Sequence, residues 1–159
     1  MALTNKIPDT SGRKYIALDK PEAVVVLAKM GGFLLFIEQY RPPVESFVMQ
    51  LPGGGAEPHE ALADAARREF TEETGYTCGQ VNYLGDMLPA PWRSNDRTHL
   101  FFTDDVQDWQ EQQLEDHETI QVYLLPLSEC VERVTNNTFT DGELNTAIFR
   151  SWLHGYLEL

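Results

Sequence analysis

Short apolar runs separated by glycine and proline dominate the first third of the chain. Ala23–Ala28 and Phe33–Tyr40 are rich in aliphatic and aromatic residues and are separated by Met30-Gly31-Gly32, which predicts two strands joined by a tight turn. Arg41-Pro42-Pro43 breaks that pattern, and Phe47–Leu51 predicts a further short strand. Pro52-Gly53-Gly54-Gly55 then predicts a loop that only a glycine-rich backbone makes tight. From His59 to Thr74 the periodicity becomes helical, with Leu62, Ala65, Ala66 and Phe70 on one face and Gly75 placed as the C-cap. Val81–Leu88, Thr98–Thr103 and Thr119–Leu125 predict strands. Ser128–Val134 predicts a short helix and Asp141–Leu157 a longer amphipathic one, its stripe being Leu144, Ile148, Trp152 and Tyr156. Strands, a helix, more strands and final helices predict the α/β class, with a mixed sheet packed between helices. Residues 1–20 are polar and read as a short arm or extra strand; no repeat or linker divides 21–159, which read as one domain.

Composition narrows the function. The 159 residues are 42% hydrophobic and 23% charged, the profile of a globular domain with a real core. The apolar runs are too short to span a bilayer, and the N-terminus with Lys6, Asp9 and Arg13 lacks a signal-peptide core, so the expectation is a cytoplasmic protein. Cys78 and Cys130 make no disulfide framework and read as free, structural thiols. A net charge of −13 repels nucleic-acid backbones and anionic membranes, which argues against either as a partner. If such a chain binds phosphate, the local sign must be inverted, and divalent cations held by clustered carboxylates do that.

The stretch from Gly54 to Tyr76 supplies such a cluster. Glu69 and Glu73 lie one helical turn apart and Glu72 neighbours Glu69, so three carboxylates share one side of a helix. Like charges so placed destabilise an ordinary helix, whereas a hard cation with oxygen ligands removes the penalty. Arg68 precedes Glu72 by one turn and is placed to orient a carboxylate by paired hydrogen bonds; Glu60, two turns earlier, reaches it less directly. The bland alternative, a solvated surface helix with incidental glutamates, suits a bare Glu-Glu pair better than this whole set.

The stretch resembles the Nudix box, Gly-x5-Glu-x7-Arg-Glu-U-x-Glu-Glu-x-Gly-U with U a bulky apolar residue. Gly54, Glu60, Arg68, Glu69, Phe70, Glu72, Glu73, Gly75 and Tyr76 fill its fixed positions, Tyr76 being the least apolar choice. Many relatives have glycine where this chain has His59. The resemblance implies an α/β/α sandwich and hydrolysis of nucleoside diphosphates linked to another moiety, with Mg²⁺ or sometimes Mn²⁺. It implies Glu69, Glu72 and Glu73 as metal ligands, the Gly53 carbonyl as a possible fourth, and Gly54, Glu60, Arg68 and Gly75 as supports of the site.

Flanking segments resemble the ADP-ribose pyrophosphatase and nucleotide-sugar branch: Ile37–Arg41, Pro91 sixteen residues beyond Gly75, and the run to Phe101. Trp92 and Asp96 depart from that branch, which commonly has glycine and glutamate there. Trp92 and Arg93 read either as a base stack and phosphate or sugar clamp, or as a core cap and a solvated side chain. Arg41 reads as a diphosphate contact or a surface ion pair, Tyr40 as core or interface, and His99 as a packed histidine. The catalytic residues are read as Glu73, Glu118 and Glu115, with the base either in the helix or in a separate loop. Glu115-Asp116-His117-Glu118 resembles the mobile loop that supplies it in this branch, with Glu118 ahead of Glu115, and a solvated acidic turn is the alternative. A homodimer is implied by the same resemblance. The competing functions are a nucleoside triphosphate, dinucleoside polyphosphate or RNA 5′-end hydrolase, and a sensor module without catalysis.

Overall fold

The computed structural model describes residues 15–20, 22–115 and 118–158. Nine strands and three helices follow in the order β1 (Glu22–Met30), β2 (Phe33–Arg41), β3 (Ser46–Gln50), β4 (Gly53–Gly55), α1 (Leu62–Thr74), β5 (Tyr76–Cys78), β6 (Asn82–Met87), β7 (Arg97–Thr103), β8 (Val106–Trp109), β9 (Ile120–Pro126), α2 (Leu127–Thr135) and α3 (Gly142–Leu153). Seven strands form one sheet in the order β3-β2-β1-β7-β6, with β4 added to β1 and β9 to β2. The β1–β7 pair is parallel and the others antiparallel, giving the mixed sheet that the element order predicts.

Side chains alternate across β1, and the two faces bury two separate cores. Val24, Val26 and Ala28, with Leu35 and Phe101, pack on Ala65, Ala66 and Phe70 of α1. Val25 and Leu27, with Leu34, Phe36, Leu100 and Phe102, pack on Leu144, Ala147 and Ile148 of α3 and on Cys130 of α2. The result is an α/β/α sandwich. Burial pushes the thiols of Cys78 and Cys130 up to about 11 and about 12, so both are inert packing groups.

Several boundaries differ from the sequence expectation. The glycine loop is partly a strand: Gly53 stands opposite Val25, where a Cβ would lie 2.0 Å from the Val24 carbonyl oxygen. Helix α1 begins at Leu62 rather than His59, because His59 itself adopts a left-handed φ of 68°. Helix α3 ends at Leu153, and its expected stripe fails at Trp152, which is 45% exposed. Tyr40 is not core; it is half exposed and meets Phe47 edge-on. The short ribbon β5–β8 was not foreseen, since neither strand carries a full apolar alternation. That ribbon covers the end of α1: Gly75 stops the helix at φ 78°, and a Cβ there would meet the Gln110 carbonyl at 2.3 Å.

Residues 15–20 lie along the turn before β7, with Ile16 bridged to Ser94 and the Leu18 amide donating to Asn95 at 2.7 Å. The rest of the predicted N-terminal arm falls outside the described residues. Among those described, no helix is long and apolar enough to cross a membrane.

Candidate active site

Helix α1 brings Arg68, Glu69, Glu72 and Glu73 to the glycine segment, and the turn before it adds Glu60. The Arg68 guanidinium reaches Glu60 twice, at 2.9 and 3.0 Å, Glu69 at 2.7 Å, Glu72 at 3.2 Å and the Gly55 carbonyl at 3.1 Å. Glu60 therefore engages Arg68 directly as a two-point partner, closer than its spacing suggested. Its second oxygen also accepts from the Glu57 amide at 2.9 Å, tying the turn before α1 to the helix. The Arg68 contact holds the Glu60 carboxyl below its ordinary range, and Glu60 in turn raises the arginine further above its own.

Glu73 is 4% exposed and its carboxylate accepts the Gly53 amide at 2.7 Å. The described contact of Gly53 to the site is thus its N–H donor, where the sequence reading singled out its carbonyl. Gly54 packs against Glu69 so closely that a Cβ would lie 2.5 Å from the carboxylate. Burial pushes Glu73 up to about 8, and the charges of Glu118 and Glu69 push the same way against the Gly53 amide and Arg41. Glu69 is raised for the same leading reason, burial, with Arg68 opposing and Glu72 and Glu118 adding. Glu69, Glu72, Glu73 and Glu118 thus crowd one end of the sandwich, where Arg68 and Arg41 only partly offset burial and mutual repulsion.

Glu118 is half-buried and its field reaches both Glu69 and Glu73. The loop that carries it is bound to the end of α1: Gln110 donates to Gly75 at 2.7 Å, Gln113 to Glu72 at 2.8 Å, and the Gln112 side-chain amide to the Glu73 carbonyl. Glu115 is exposed, and its carbonyl accepts the Glu118 amide at 2.9 Å. Asp116 and His117 lie outside the described residues.

Arg41 ends β2, and its charge acts on both Glu73 and Glu143. Glu143, in the first turn of α3, was missed in the sequence. Its carboxylate accepts from Thr98 at 2.6 Å, and burial raises it, with Asp141 adding. The Asp141-Gly142-Glu143-Leu144 string marks a helix start but says nothing of facing Arg41. Trp92 is 73% exposed, which excludes it as a core cap, and Arg93 is also exposed. His99 is a packed histidine as expected, held between the Tyr83 hydroxyl at 2.8 Å and Glu22.

Among the described residues, no three metal-binding side chains already stand at the spacing of a closed cage. The donor set nevertheless suits a hard divalent cation. It is all carboxylate and carbonyl oxygen, and its repulsion is relieved by added positive charge. In this arrangement Arg68 holds Glu69 and Glu72, while Gly53 holds Glu73.

The NUDIX domain family matches residues 19–144, which include the whole of this constellation. The chain belongs to the Nudix family. An "ADP-ribose pyrophosphatase" of Bacillus subtilis (strain 168) is 26% identical over 145 residues, covering 90% of this chain and 78% of the relative. A "methanol dehydrogenase activator" of Bacillus methanolicus has the same identity and the same two coverages. Among solved structures, a "crystal structure of ADP compounds hydrolase" matches with a TM-score of 0.78, 22% identity, and coverage of 97% of this chain and 86% of that one. The last likeness bears on the fold, and it places the α/β/α sandwich described above among Nudix folds. Nudix enzymes use a divalent metal, and the carboxylate end of this Nudix domain is chemically suited to one.

Proposed function

We propose that this Nudix pyrophosphohydrolase cleaves the pyrophosphate bond of ADP-ribose, or of a nucleotide sugar, with Mg²⁺ as the working ion. The products are a nucleoside monophosphate and a phosphorylated sugar. The observation that carries the reading is Glu73: a buried carboxylate facing Glu69 and Glu118, whose ionised form is costly until a cation arrives. The similarity to an ADP-ribose pyrophosphatase and to an ADP compounds hydrolase supports the choice of substrate class.

In this reading Glu69, Glu72 and Glu73 hold the metal, with the Gly53 carbonyl as a further ligand and Mn²⁺ as an alternative ion. When bound there, a divalent cation would neutralise the diphosphate oxygens and make the attacking water more acidic. Arg68 keeps Glu69 and Glu72 oriented, and Glu60 keeps Arg68 oriented. Glu118 takes the proton from water, with Glu115 as the second candidate. Arg41 grips the diphosphate, and Trp92 and Arg93 face the base or the sugar. Homodimerisation and a cytoplasmic location belong to the same reading; light scattering checks the first and fractionation the second.

A substrate panel tests it. ADP-ribose, ADP-glucose, GDP-mannose, ATP and a dinucleoside polyphosphate are each incubated with Mg²⁺ or Mn²⁺, and products are separated by chromatography. Turnover of the diphosphate-linked sugars above the others supports the proposal. A preference for ATP or dinucleoside polyphosphate overturns the substrate class, and tight binding without turnover points to a sensor.

A further inference from the structure

We propose that Gln50 and Asp141 form a positioning relay that sets the direction of the Arg41 guanidinium, and through it the grip on the substrate diphosphate. The inference rests on the reading of Arg41 as a diphosphate contact and adds two residues that no part of that reading uses.

Arg41 stands opposite Ser46 and Gln50 opposite Ile37, so the two side chains share a face of the β2–β3 hairpin but are four residues apart along it. At about 3.3 Å per residue that separation is roughly 13 Å, so contact requires the arginine to lie back along the strand. It does: the Arg41 Nε–H donates to Gln50 Oε1 at 2.6 Å. Gln50 Nε2 in turn donates to Asp141 Oδ2 at 2.8 Å, and Asp141 Oδ1 accepts the Leu144 amide at 2.8 Å as the N-cap of α3. Leu144 is fully buried, so the chain of contacts starts from the core and ends at an exposed arginine.

Two features make this a relay rather than a surface contact. The bond to Gln50 uses Nε, and among the described residues the two Nη groups of Arg41 make no hydrogen bond. Those are the fork donors that match the oxygens of a phosphate. The direction of the Gln50 amide is also determined. A carboxylate only accepts, so Asp141 draws the amide nitrogen to itself and leaves the amide oxygen for Arg41. Held this way, the guanidinium is near enough for its charge to act on the carboxyls of Glu73 in α1 and Glu143 in α3. An untethered arginine on an exposed strand end would lose rotamer freedom only when substrate binds, which weakens binding.

Kinetics on the best substrate of the panel test the relay in Arg41→Ala, Gln50→Ala, Asp141→Asn and the two doubles with Arg41→Ala. Arg41→Ala is expected to lower kcat/KM about 100-fold, and Gln50→Ala about tenfold, on the scale of a misplaced binding group. Asp141→Asn keeps the helix cap, since asparagine caps as well as aspartate, so its Tm stays near that of the parent. It offers an amide nitrogen to Gln50, reverses that amide, and is expected to reproduce the Gln50→Ala loss. In the Arg41→Ala background neither change should lower kcat/KM further.

Losses that persist in that background mean a general structural role and overturn the relay. Full activity of Gln50→Ala beside a damaged Arg41→Ala also overturns it. An undamaged Arg41→Ala instead sinks the diphosphate role of Arg41, which is a separate failure. A second readout needs no turnover: Nε–Hε exchange in arginine-labelled protein by NMR, with the Arg41 signal identified by its loss in Arg41→Ala. Slow exchange in the parent and faster exchange in Gln50→Ala and Asp141→Asn support the relay; equal exchange in all three overturns it.

Discussion

Helices α1 and α3 flank the same sheet and are nearly equal in length, at 13 and 12 residues, yet they are stabilised in opposite ways. Helix α3 has a conventional start, with Asp141 capping Leu144, and buries Leu144, Ala147, Ile148 and Ser151. Helix α1 has Ala61 at its N-cap position, with no side-chain cap, and carries a buried glutamate among its core residues. What α1 lacks locally it recovers from outside: Arg68 ties it to Glu60 and Gly55, Gly53 donates to Glu73, and the Gln110–Gln113 segment donates to its C-terminal end. A helix built to carry concentrated charge gives up its own stability, and its surroundings supply it.

The contrast can be broken most sharply at Glu73. Glu73→Gln is expected to lower kcat by about 10²- to 10⁴-fold, the scale on which single groups acting only in the transition state are lost. The metal-free fold should survive, because the amide still accepts the Gly53 N–H and no charge is buried. Circular dichroism beside the product assay checks both; unchanged turnover removes Glu73 from the site.

Next come the two adjacent glycines. At Gly53 the added methyl of Ala would overlap backbone, the Val24 carbonyl oxygen and the Val25 Cα at 2.8 Å, so Gly53→Ala should cost several kcal/mol by thermal melting. At Gly54 the obstacle is the end of the Glu69 side chain at 2.5 Å, which can swing away. Gly54→Ala should therefore spare most of the stability while lowering activity and metal affinity, read by calorimetry with Mg²⁺. Equal melting temperatures for the two variants would contradict this division.

A smaller effect follows from pH. Glu73 is raised to about 8 in the fold from an ordinary 4.5, so the folded chain holds a proton that the unfolded chain releases. Its contribution to stability is complete below the unfolded value and is lost as pH rises through the folded one. Metal-free protein should thus lose on the order of a few kcal/mol between about pH 4.5 and 8, by urea titration. Glu73→Gln should remove the largest part of that slope, while Glu143 of α3, also raised by burial, leaves a smaller slope of the same sign. A parent profile as flat as the variant's would show that Glu73 is ionised without a cation.

The smallest effect sharpens the contrast at the helix starts. Ala61 is exposed and already has the extended backbone of a cap residue, at φ −68° and ψ 137°. Ala61→Ser should add about 0.5–1 kcal/mol and raise Tm by about 1–4 °C. No gain would mean that the Glu60–Arg68 tie already does the work of a cap.

Much of this was readable along the chain, for reasons that lie in local chemistry. Apolar alternation and the Gly31 and Gly75 stops located β1, β2 and the end of α1. The spacing Glu60, Arg68, Glu69, Glu72 and Glu73 is a property of a single helix and the turn before it, so its charge clustering follows from 3.6-residue periodicity alone. The α/β class followed from element order.

Tertiary structure decided the rest, because those features depend on residues far apart in sequence. That Glu73 is buried, and Glu72 is not, follows from β4 and the Gln112 loop closing over one of two adjacent glutamates. The β5–β8 ribbon exists because the chain returns to cover the end of α1, not because its own pattern is a strong strand signal. Glu143 and Gln50 carry no motif; Gln50 joins Arg41 to Asp141, and Glu143 feels the charge of Arg41, only because the start of α3 is folded against the β2–β3 hairpin. Periodicity fixes which side chains share a face, but burial and charge depend on what is packed against that face, and only the folded chain supplies that.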